Sequence, residues 1–314
     1  MNLVVIGTGY VGLVTGVGFA SLGNTVSFVD LDKDKILKLN NKEIPFYEPG
    51  LEEHFQNVET FSRMSFTSSY KDINWDSIDV AFICVQTPNN LETNSVDTKF
   101  LESAITEINN LNNSKIVVTV KSNIHHNDIE KVCNKVGMDM NEITFNPEFL
   151  REGTAIEDFF KPDRIVIGGN DDNKLAVLKE LYKSFEAELI ETDPISSQLI
   201  KYLSNTYLPL RLSFVNEASR LIDYSKGNQK DVLKGVGLDS RIGSHYFRPS
   251  PAWGGSCFPK DLIEVNNFYE DGKVLLPLIS NIIESNDIQS SWTVEKLIST
   301  LNTENMNSIL LVGA

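Results

Sequence analysis

The stretch NLVVIGTGYVG at residues 2–12 decides the fold, because it joins an apolar strand directly to a glycine-rich turn. Apolar residues at 13–22 then recur at helical spacing, and Gly23 follows as a natural helix end. A second apolar strand is predicted at 25–29, and it ends at Asp30. This order of strand, glycine turn, helix and strand is typical of the first βαβ unit of a doubly wound α/β sheet.

The glycines and the acid after the second strand predict a dinucleotide site. Gly7, Gly9 and Gly12 allow the backbone to turn tightly and to approach a pyrophosphate at the N-terminus of the following helix. Asp30 is placed to accept hydrogen bonds from the adenosine ribose and to repel a 2′-phosphate. The pattern therefore favours NAD over NADP, with a tight turn that binds no ligand as the alternative.

Further strands are predicted at 79–85, 115–120, 143–145 and 164–167, which supports an α/β fold with a mostly parallel sheet. From residue 196 the spacing of apolar residues becomes helical, with Pro209 as an expected kink. Residues 308–314 resemble the opening strand of another α/β unit. We therefore predict a Rossmann-like domain at 1–195, a helical domain at 196–304 and the start of a further domain at 305–314, which implies a truncated chain.

Composition limits the classes of function. The 314 residues carry a formal net charge of −15, which disfavours binding to nucleic acid or to anionic lipid. The sequence has neither an apolar run of the ~20 residues needed to cross a bilayer nor a secretory leader. Three separated cysteines predict no disulfide framework, and adjacent His125 and His126 predict no metal site. These features indicate a cytoplasmic protein.

Cys257 lies in the stretch WGGSCFPKD at residues 253–261, where glycines loosen the backbone around a thiol. Lys260 follows closely, and a nearby cation favours the nucleophilic thiolate. Packing as a small buried residue is the alternative for Cys257. Cys84 and Cys133 lie in apolar patterns and are predicted to be core residues.

Other polar residues stand out by position. Glu148 follows the predicted strand at 143–145, at the sheet edge where α/β proteins bind ligands. Lys201 and Asn205 are four residues apart in an apolar helix, which indicates either a site or a surface face. Arg241 and Arg248 could hold an anion or simply be solvated.

Taken together, these motifs resemble those of the UDP-glucose/GDP-mannose dehydrogenase family, which oxidises nucleotide sugars at carbon 6. The resemblance rests on GTGYVG at 7–12, YEPGL at 47–51, TP at 87–88, NPEFLREG at 146–153, PDR at 162–164, Lys201 with Asn205, and GGSCFPKD at 254–261. It implies a Rossmann-like NAD-binding domain, an all-α central domain that forms a homodimer, and a second Rossmann-like domain that binds the substrate's nucleotide. Only the first strand of that last domain would be present.

The resemblance also implies the chemistry. NAD would oxidise the C6 alcohol of UDP-glucose to UDP-glucuronate in two steps, giving two NADH and a precursor for capsule or other polysaccharide. Cys257 would hold the aldehyde as a thiohemiacetal and then as a thioester. Lys201 and Asn205 would stabilise the oxyanion, while Asp261 and Glu148 would transfer protons. GDP-mannose or a UDP-N-acetylhexosamine remains an alternative substrate, and a catalytically silent NAD-binding assembly module is a further alternative.

The remaining site residues are likewise carried over by resemblance. Arg241 is similar to an arginine that contacts the substrate of the neighbouring subunit. The predicted cofactor residues are Gly7, Gly9, Tyr10, Val11, Gly12, Asp30, Lys35, Thr87, Pro88, Ser122, Glu152 and Lys260. The predicted substrate residues are Glu148, Phe149, Leu150, Lys201, Asn205, Arg241, Tyr246, Arg248, Trp253 and Gly254.

One departure from the family pattern concerns the loop after the strand at 115–120. The family has Ser-Thr-(Val/Ile)-Pro there, and its threonine binds the catalytic water. This chain has SNIH at residues 122–125, so Asn123 replaces the threonine and the proline is absent. We expect altered loop geometry at Asn123, which is still predicted as a catalytic residue, and we expect residues 1–314 alone to bind NAD but to be nearly inactive.

Overall fold

The computed structural model describes residues 1–90, 95–111, 115–255, 257–268, 274–304 and 308–310. The chain forms two compact units, here called the N-terminal unit (Met1–Lys201) and the helical unit (Tyr202–Ala314).

The N-terminal unit is built on a long sheet flanked by helices. Its strands are β1 (Asn2–Ile6), β2 (Thr25–Val29), β3 (Met64–Thr67), β4 (Val80–Ile83), β5 (Asn89–Asn90), β6 (Ser95–Val96), β7 (Val117–Val120), β8 (Ile143–Phe145), β9 (Arg164–Gly168) and β10 (Glu188–Thr192). Its helices are α1 (Tyr10–Ser21), α2 (Lys33–Asn40), α3 (Leu51–Gln56), α4 (Val58–Ser62), α5 (Lys99–Asn110), α6 (His126–Val136), α7 (Ala155–Phe160) and α8 (Asp172–Tyr182). Short 3-10 helices lie at Tyr70–Asp72, Trp75–Ser77 and Met140–Glu142.

The helical unit consists of long helices joined by loops. The helix α9 (Pro194–Tyr224) begins in the N-terminal unit, and it is followed by α10 (Gln229–Gly237), α11 (Phe258–Phe268) and α12 (Pro277–Thr303). Two small apolar clusters support this unit. One contains Val215, Ile222, Leu233 and Phe247, and the other contains Trp253, Leu262 and Ile282.

The main sheet has the strand order β10-β9-β8-β7-β4-β1-β2-β3. Neighbouring strands are parallel except β8 and β9, which pair antiparallel. The chain passes from β1 through β2 to β3 on one side and then returns to β4 on the other side of β1. The crevice outside the carboxyl ends of β1 and β4 is therefore the topological switch point at which such sheets bind ligands.

Apolar side chains cover both faces of the sheet, as expected for parallel strands packed between helices. One cluster joins alternate residues of β1, β2 and β4 to α1, α2, α3, α7 and α8. The other joins the opposite face of these strands to α5 and α6. Leu3 and Val5 face the first cluster, whereas Val4 and Ile6 face the second, which is the alternation that a strand imposes.

The predicted α/β fold, with a helical second part, is confirmed. The sequence reading missed β3 and β10, and it did not identify α11 as a helix. Pro209 does not end α9, and Pro259 lies in the first turn of α11, where a missing N–H is tolerated. The strand predicted at 308–314 lies largely outside the described residues and stays a prediction.

Among the described residues, no helix combines the length and the apolar character that a membrane crossing requires.

Helix α1 lies close to its neighbours because glycine occupies contact positions. A Cβ atom on Gly18 would lie 2.3 Å from the ring of Phe159, and one on Gly16 would lie 2.3 Å from the ring of Phe28. Both rings are buried. The two glycines therefore determine how closely this helix can pack.

Gly18→Ala is expected to destabilise the protein by about 1–3 kcal/mol, because the added methyl group overpacks the core. Gly235→Ala is the matched control, since Gly235 lies in α10 with nothing within 4 Å of an added Cβ. That variant is expected to be neutral or to gain up to about 1 kcal/mol from better helix propensity. Urea unfolding measures both, and equal effects would contradict the packing argument.

Candidate active site

The glycine turn after β1 brings backbone into contact with the end of β4. Gly7 has φ +96°, and an added Cβ would lie 2.6 Å from the carbonyl oxygen of Cys84. A Cβ on Gly12 would lie 2.0 Å from the Gly7 carbonyl oxygen, whereas one on Gly9 would meet nothing within 4 Å. Gly7 and Gly12 therefore close the turn, and Gly9 leaves open space at the N-terminus of α1, where backbone N–H groups favour an anion.

Asp30 lies at the carboxyl end of β2 and is held in place by the same turn. Its Oδ2 accepts hydrogen bonds from the N–H and the hydroxyl of Thr8, both at 2.7 Å. The Asp32 N–H donates to Oδ1 at 3.0 Å, and the Lys35 ammonium lies 3.3 Å from Oδ2. Burial alone would raise the pKa of Asp30, but these donors and the Lys35 charge outweigh burial and lower the pKa. The carboxylate is thus ionised and fixed.

A buried carboxylate, Glu48, joins α1 to the loop that follows β8. It accepts hydrogen bonds from the Tyr10 hydroxyl (2.7 Å), the Gly153 N–H (2.9 Å) and the Ala155 N–H (2.8 Å). These bonds hold the predicted cofactor residue Tyr10 and the end of the 146–153 motif together. Sequence reasoning placed Glu48 in a family motif without giving it a role, and no local pattern predicts its partners.

The loops after β4 and β7 are also joined. The Thr87 hydroxyl donates to the Asn123 carbonyl oxygen at 2.8 Å, and the Ser122 hydroxyl donates to the Val85 carbonyl oxygen at 2.7 Å. The structure thus brings together the predicted cofactor residues Thr87 and Ser122 with the unusual Asn123. Neighbouring Pro88 lies in the same loop and is exposed.

The loop after β8 carries a buried ion pair. The Lys201 ammonium donates to Glu148 Oε1 at 2.8 Å and to the Glu148 carbonyl oxygen at 2.6 Å, while the Leu150 N–H donates to Oε2 at 2.7 Å. Burial would raise the pKa of Glu148, but Lys201, the Leu150 N–H and Lys121 outweigh burial and lower it. Glu148 lies in a loop, and Glu152, a predicted cofactor residue, is exposed.

The Phe149 ring lies between two cations. The Arg164 guanidinium is 3.8 Å from the ring centroid, and the Lys201 ammonium is 5.4 Å from it. Cation–π attraction of this kind restricts the ring. The structure therefore brings three predicted substrate residues, Glu148, Phe149 and Lys201, into one cluster.

Behind this cluster lies a polar network that the sequence reading did not identify. The buried Lys121 ammonium and the Tyr182 hydroxyl donate to Asn146 Oδ1 at 2.9 and 2.6 Å. Asn146 Nδ2 in turn donates to the Val166 carbonyl oxygen at 2.8 Å. Burial lowers the pKa of Lys121 to about 8, although the nearby Glu148 carboxylate opposes the shift. The network fixes the start of the 146–153 loop.

In the helical unit, Asn205 and Asp261 face each other. Asn205 Nδ2 donates to Asp261 Oδ2 at 2.7 Å, and both residues are buried. The Asp261 N–H donates to the Cys257 carbonyl oxygen at 2.9 Å, so Cys257 directly precedes the first turn of α11. Cys257 is exposed and forms no disulfide, whereas Cys84 and Cys133 are buried as predicted. Ser256 lies outside the described residues.

Trp253 is fixed from several sides. Its indole N–H donates to the Ser213 hydroxyl at 2.8 Å, and its backbone exchanges two hydrogen bonds of 2.9 Å with the Asn286 side chain. Gly254 is exposed, and Gly255 has φ +96°, which favours glycine. The backbone before Cys257 is thus anchored at Trp253 and then turns through two glycines.

The loop at 239–248 carries three of the predicted substrate residues, and among the described residues no hydrogen bond or ion pair joins them to Glu148, Lys201, Asn205 or Asp261. Arg241 is strongly exposed and instead pairs with Asp239 at 2.6 Å. Tyr246 has φ +55°, and the side chains of Tyr246 and Arg248 are both exposed. Lys260, predicted to bind the cofactor, lies 3.5 Å from Glu264. The roles of these residues stay predictions.

Val11 and Lys35 complete the cofactor set. Val11 lies in the first turn of α1 and packs against the core of the N-terminal unit. Lys35 lies in α2 beside Asp30. The open N-terminus of α1, the close approach at Gly7 and the fixed acid after β2 together fit the pyrophosphate and the ribose of NAD.

Comparison with known proteins agrees with this geometry. Residues 1–186 match the model of the UDP-glucose/GDP-mannose dehydrogenase family, NAD binding domain, and residues 195–288 match the central domain of the same family. NAD is therefore the cofactor of the N-terminal unit, as predicted.

Curated relatives include a UDP-glucose 6-dehydrogenase of Rickettsia prowazekii, 37% identical over 96% of this chain and 70% of the relative. Another is the UDP-glucose 6-dehydrogenase TuaD of Bacillus subtilis, 35% identical over 99% of this chain and 68% of the relative.

Among solved structures, a UDP-glucose dehydrogenase from Pyrobaculum islandicum gives a TM-score of 0.87 at 35% identity, covering 96% of this chain and 71% of that chain. A GDP-mannose dehydrogenase from Pseudomonas aeruginosa gives a TM-score of 0.72 at 29% identity, and the match covers 95% of this chain and 71% of that chain. The dinucleotide site, the Cys257 segment and these matches lead to one conclusion: the chain belongs to the UDP-glucose/GDP-mannose dehydrogenase family, as an NAD-dependent nucleotide-sugar dehydrogenase.

Proposed function

We propose that this chain carries the NAD-binding unit and the catalytic residues for the NAD-dependent, four-electron oxidation of the C6 hydroxymethyl group of UDP-glucose to the carboxylate of UDP-glucuronate. The observation that carries the proposal is the exposed Cys257 thiol at the start of α11, directly before the buried Asn205–Asp261 pair. The names of the relatives support the choice of substrate, since those from R. prowazekii, B. subtilis and P. islandicum are all UDP-glucose dehydrogenases.

The N-terminal unit would hold NAD. Backbone N–H groups at the start of α1 would bind the pyrophosphate, and Asp30 would accept hydrogen bonds from the adenosine ribose. Bound NAD would accept a hydride from carbon 6 in each of the two oxidations, giving two NADH. The fixed carboxylate of Asp30 would repel the 2′-phosphate of NADP.

Cys257 would keep the aldehyde on the protein between the two oxidations. Its thiolate adds to the aldehyde carbon, and the new C–S bond gives a thiohemiacetal whose oxygen takes up a proton. The second oxidation converts this adduct into a thioester. Water then attacks the thioester carbon, the C–S bond breaks, and the carboxylate leaves while the thiolate is regenerated.

The neighbouring polar residues would support these steps, by resemblance to the family. Lys201 and Asn205 are assigned to stabilise the oxyanion, because a fixed cation and a fixed amide act strongly where water is excluded. Asp261 would transfer protons through a water, and Glu148 would act in the same exchange or in thioester hydrolysis. The buried contacts Lys201–Glu148 and Asn205–Asp261 support these roles by fixing all four side chains.

GDP-mannose or a UDP-N-acetylhexosamine is the second candidate substrate, favoured by the likeness to the P. aeruginosa GDP-mannose dehydrogenase. A panel of nucleotide sugars distinguishes them. A silent NAD-binding assembly module is the alternative from another class. Tight NADH binding without turnover of any nucleotide sugar would favour it.

We further propose three domains, at 1–195, 196–304 and from 305 onward, with the last binding the substrate's nucleotide. The curated relatives are longer, since the chain covers 68–72% of each. Activity assays should therefore use a chain that continues past Ala314.

We also propose that the reaction takes place in the cytoplasm and that its product is used in the synthesis of a polysaccharide such as capsule.

A homodimer is also proposed, through the helical unit. Leu203, Tyr207, Phe214 and Leu221 are each more than half exposed and recur at steps of four and seven residues, so they form one apolar stripe along α9. Apolar side chains exposed along one helix face are typical of a contact surface, which supports the proposed dimer.

Cys257→Ala is expected to lower the rate of NADH formation from UDP-glucose by about a thousandfold or more, because the nucleophile is removed. NADH binding, measured by fluorescence, should stay within about twofold, since Cys257 lies outside the NAD-binding unit. Cys133→Ala is the matched control, because Cys133 is buried in α6. Wild-type protein should form two NADH per sugar; one NADH, or a fully active Cys257→Ala variant, would contradict the mechanism.

Asp30→Asn is expected to reduce the preference for NADH over NADPH by about tenfold or more, because the repulsion of a 2′-phosphate is removed and Lys35 remains. The ratio of the two dissociation constants is the measurement. Asp34→Asn is the control, since Asp34 is exposed in the first turn of α2. An unchanged ratio in Asp30→Asn would show that Asp30 does not face the ribose.

Phe214→Asp is expected to convert the dimer into a monomer, because it places a charge in the middle of the apolar stripe. Size-exclusion chromatography with light scattering measures the mass. Leu37→Asp is the control, because Leu37 is equally exposed but lies on α2. A wild-type monomer, or a dimeric Phe214→Asp variant, would exclude the stripe as the interface.

A further inference from the structure

A buried carboxyl group in the helical unit has no part in the chemistry proposed above. Glu264 lies in α11 and is only 3% exposed. The Tyr202 hydroxyl donates a hydrogen bond to its Oε2, and the Lys260 ammonium lies 3.5 Å from its Oε1. A carboxyl group this deeply buried is rare unless it is paired.

Glu264 is fixed by the same two helices that carry the Asn205–Asp261 pair. Tyr202 and Asn205 are three residues apart on α9, and Asp261 and Glu264 are three residues apart on α11. Residues three apart share a helix face. Two parallel side-chain bonds therefore join these helices, and the Tyr202–Glu264 bond lies one turn further along α11 from Cys257.

The charges around Glu264 make its protonation state sensitive. Burial and the Asp261 carboxylate raise the pKa of Glu264, while Lys260 and the Tyr202 hydrogen bond oppose them, and the result is about 7. Helix α12 contributes apolar side chains, Ile279, Ile282 and Ile283, to the cluster around Leu262. Among the described residues, the titratable groups acting on Glu264 are thus Tyr202, Lys260 and Asp261.

Lys260 lies between Cys257 and Glu264 in the sequence. It lies four residues before Glu264 and three residues after Cys257, so it belongs to the helical turn that begins at the thiol. A cation near a thiol favours the thiolate. An ionised Glu264 compensates part of the Lys260 charge, and protonation of Glu264 removes that contribution.

We propose that Glu264 is a positioning residue for the Cys257 segment: held by Tyr202, its carboxylate holds the Lys260 ammonium and thereby tunes the charge beside the thiol. The proposal rests on the proposed function only where it takes Cys257 as the nucleophile. Its effect has a direction, since ionisation of Glu264 as the pH rises through neutrality disfavours the thiolate.

The test is the rate of alkylation of Cys257 by iodoacetamide between pH 5.5 and pH 9, followed by mass spectrometry. Cys84 and Cys133 are 7% and 0% exposed, so the reagent selects Cys257. Glu264→Gln keeps the shape and removes the charge. The alkylation rate of Glu264→Gln divided by that of wild type should be near one at pH 6. It should rise to about threefold near pH 8, because only wild type gains the negative charge of ionised Glu264, which opposes the thiolate.

Tyr202→Phe provides a second, independent variant. It removes the hydroxyl that lowers the pKa of Glu264 and keeps the ring. The pKa of Glu264 should therefore rise, and the pH at which Glu264 begins to slow the alkylation should rise with it. Glu295→Gln and Tyr224→Phe are the matched controls, because both residues are exposed, on α12 and at the end of α9. Both controls should follow the wild-type profile.

If the ratio of the Glu264→Gln alkylation rate to the wild-type rate is the same at every pH, the proposal is overturned. A purely structural role of Glu264 would not follow the ionisation of its carboxyl group. If Glu264→Gln does not fold, as judged by its thermal unfolding, an unshifted Tyr202→Phe profile overturns the proposal instead. The assay needs neither NAD nor sugar. Its outcome is thus separate from that of the NADH assay, which tests the proposed function.

Discussion

The ion pair between Lys201 and Glu148 is the contact on which the arrangement of the loop after β8 depends. Both side chains are almost fully buried, at 6% and 10% exposure, and a buried charge without a partner is strongly destabilising. Because Lys201 also binds the Glu148 carbonyl oxygen, the pair fixes backbone as well as side chain. Glu48 fixes the other end of the same loop, at Gly153 and Ala155. The loop is therefore anchored at both ends by buried carboxylates.

The parts of the fold that could be predicted from the sequence are those determined by neighbours in the chain. β1, the glycine turn, α1, β2 and Asp30 follow one another directly, and each has a local signal in apolar spacing or in glycine. β3 and β10 were missed because edge strands mix polar and apolar residues, and neither MSFT at 64–67 nor ELIET at 188–192 shows a clear apolar run. Helix α11 was missed because it follows two glycines and contains Pro259, residue types that usually interrupt a helix, whereas a proline is well tolerated in a first turn.

The candidate site was predictable only where a motif carried it. Local sequence singled out Cys257, Lys201, Asn205 and Glu148, and the resemblance added Asp261 and gave each residue a role. The structure joins Lys201 to Glu148 and Asn205 to Asp261 in two buried contacts. The bonding partners of Glu48, Asn146 and Glu264 could not have been found in the same way, although Glu48 and Asn146 lie in family motifs. Their bonds to Gly153, Tyr182 and Tyr202 span 105, 36 and 62 residues of sequence. Such pairs exist only once the sheet and the helices have brought distant segments together.

Pro209 gives α9 a property that its side-chain contacts do not reveal. A helical carbonyl normally accepts a hydrogen bond from the N–H four residues later, and for Asn205 that residue is Pro209, which has no N–H. The long helix thus lacks one backbone hydrogen bond at the residue whose side chain holds Asp261. Prolines are common sites of helix bending, so the carbonyl group that the helix does not hold belongs to the same residue whose side chain is held by a buried hydrogen bond.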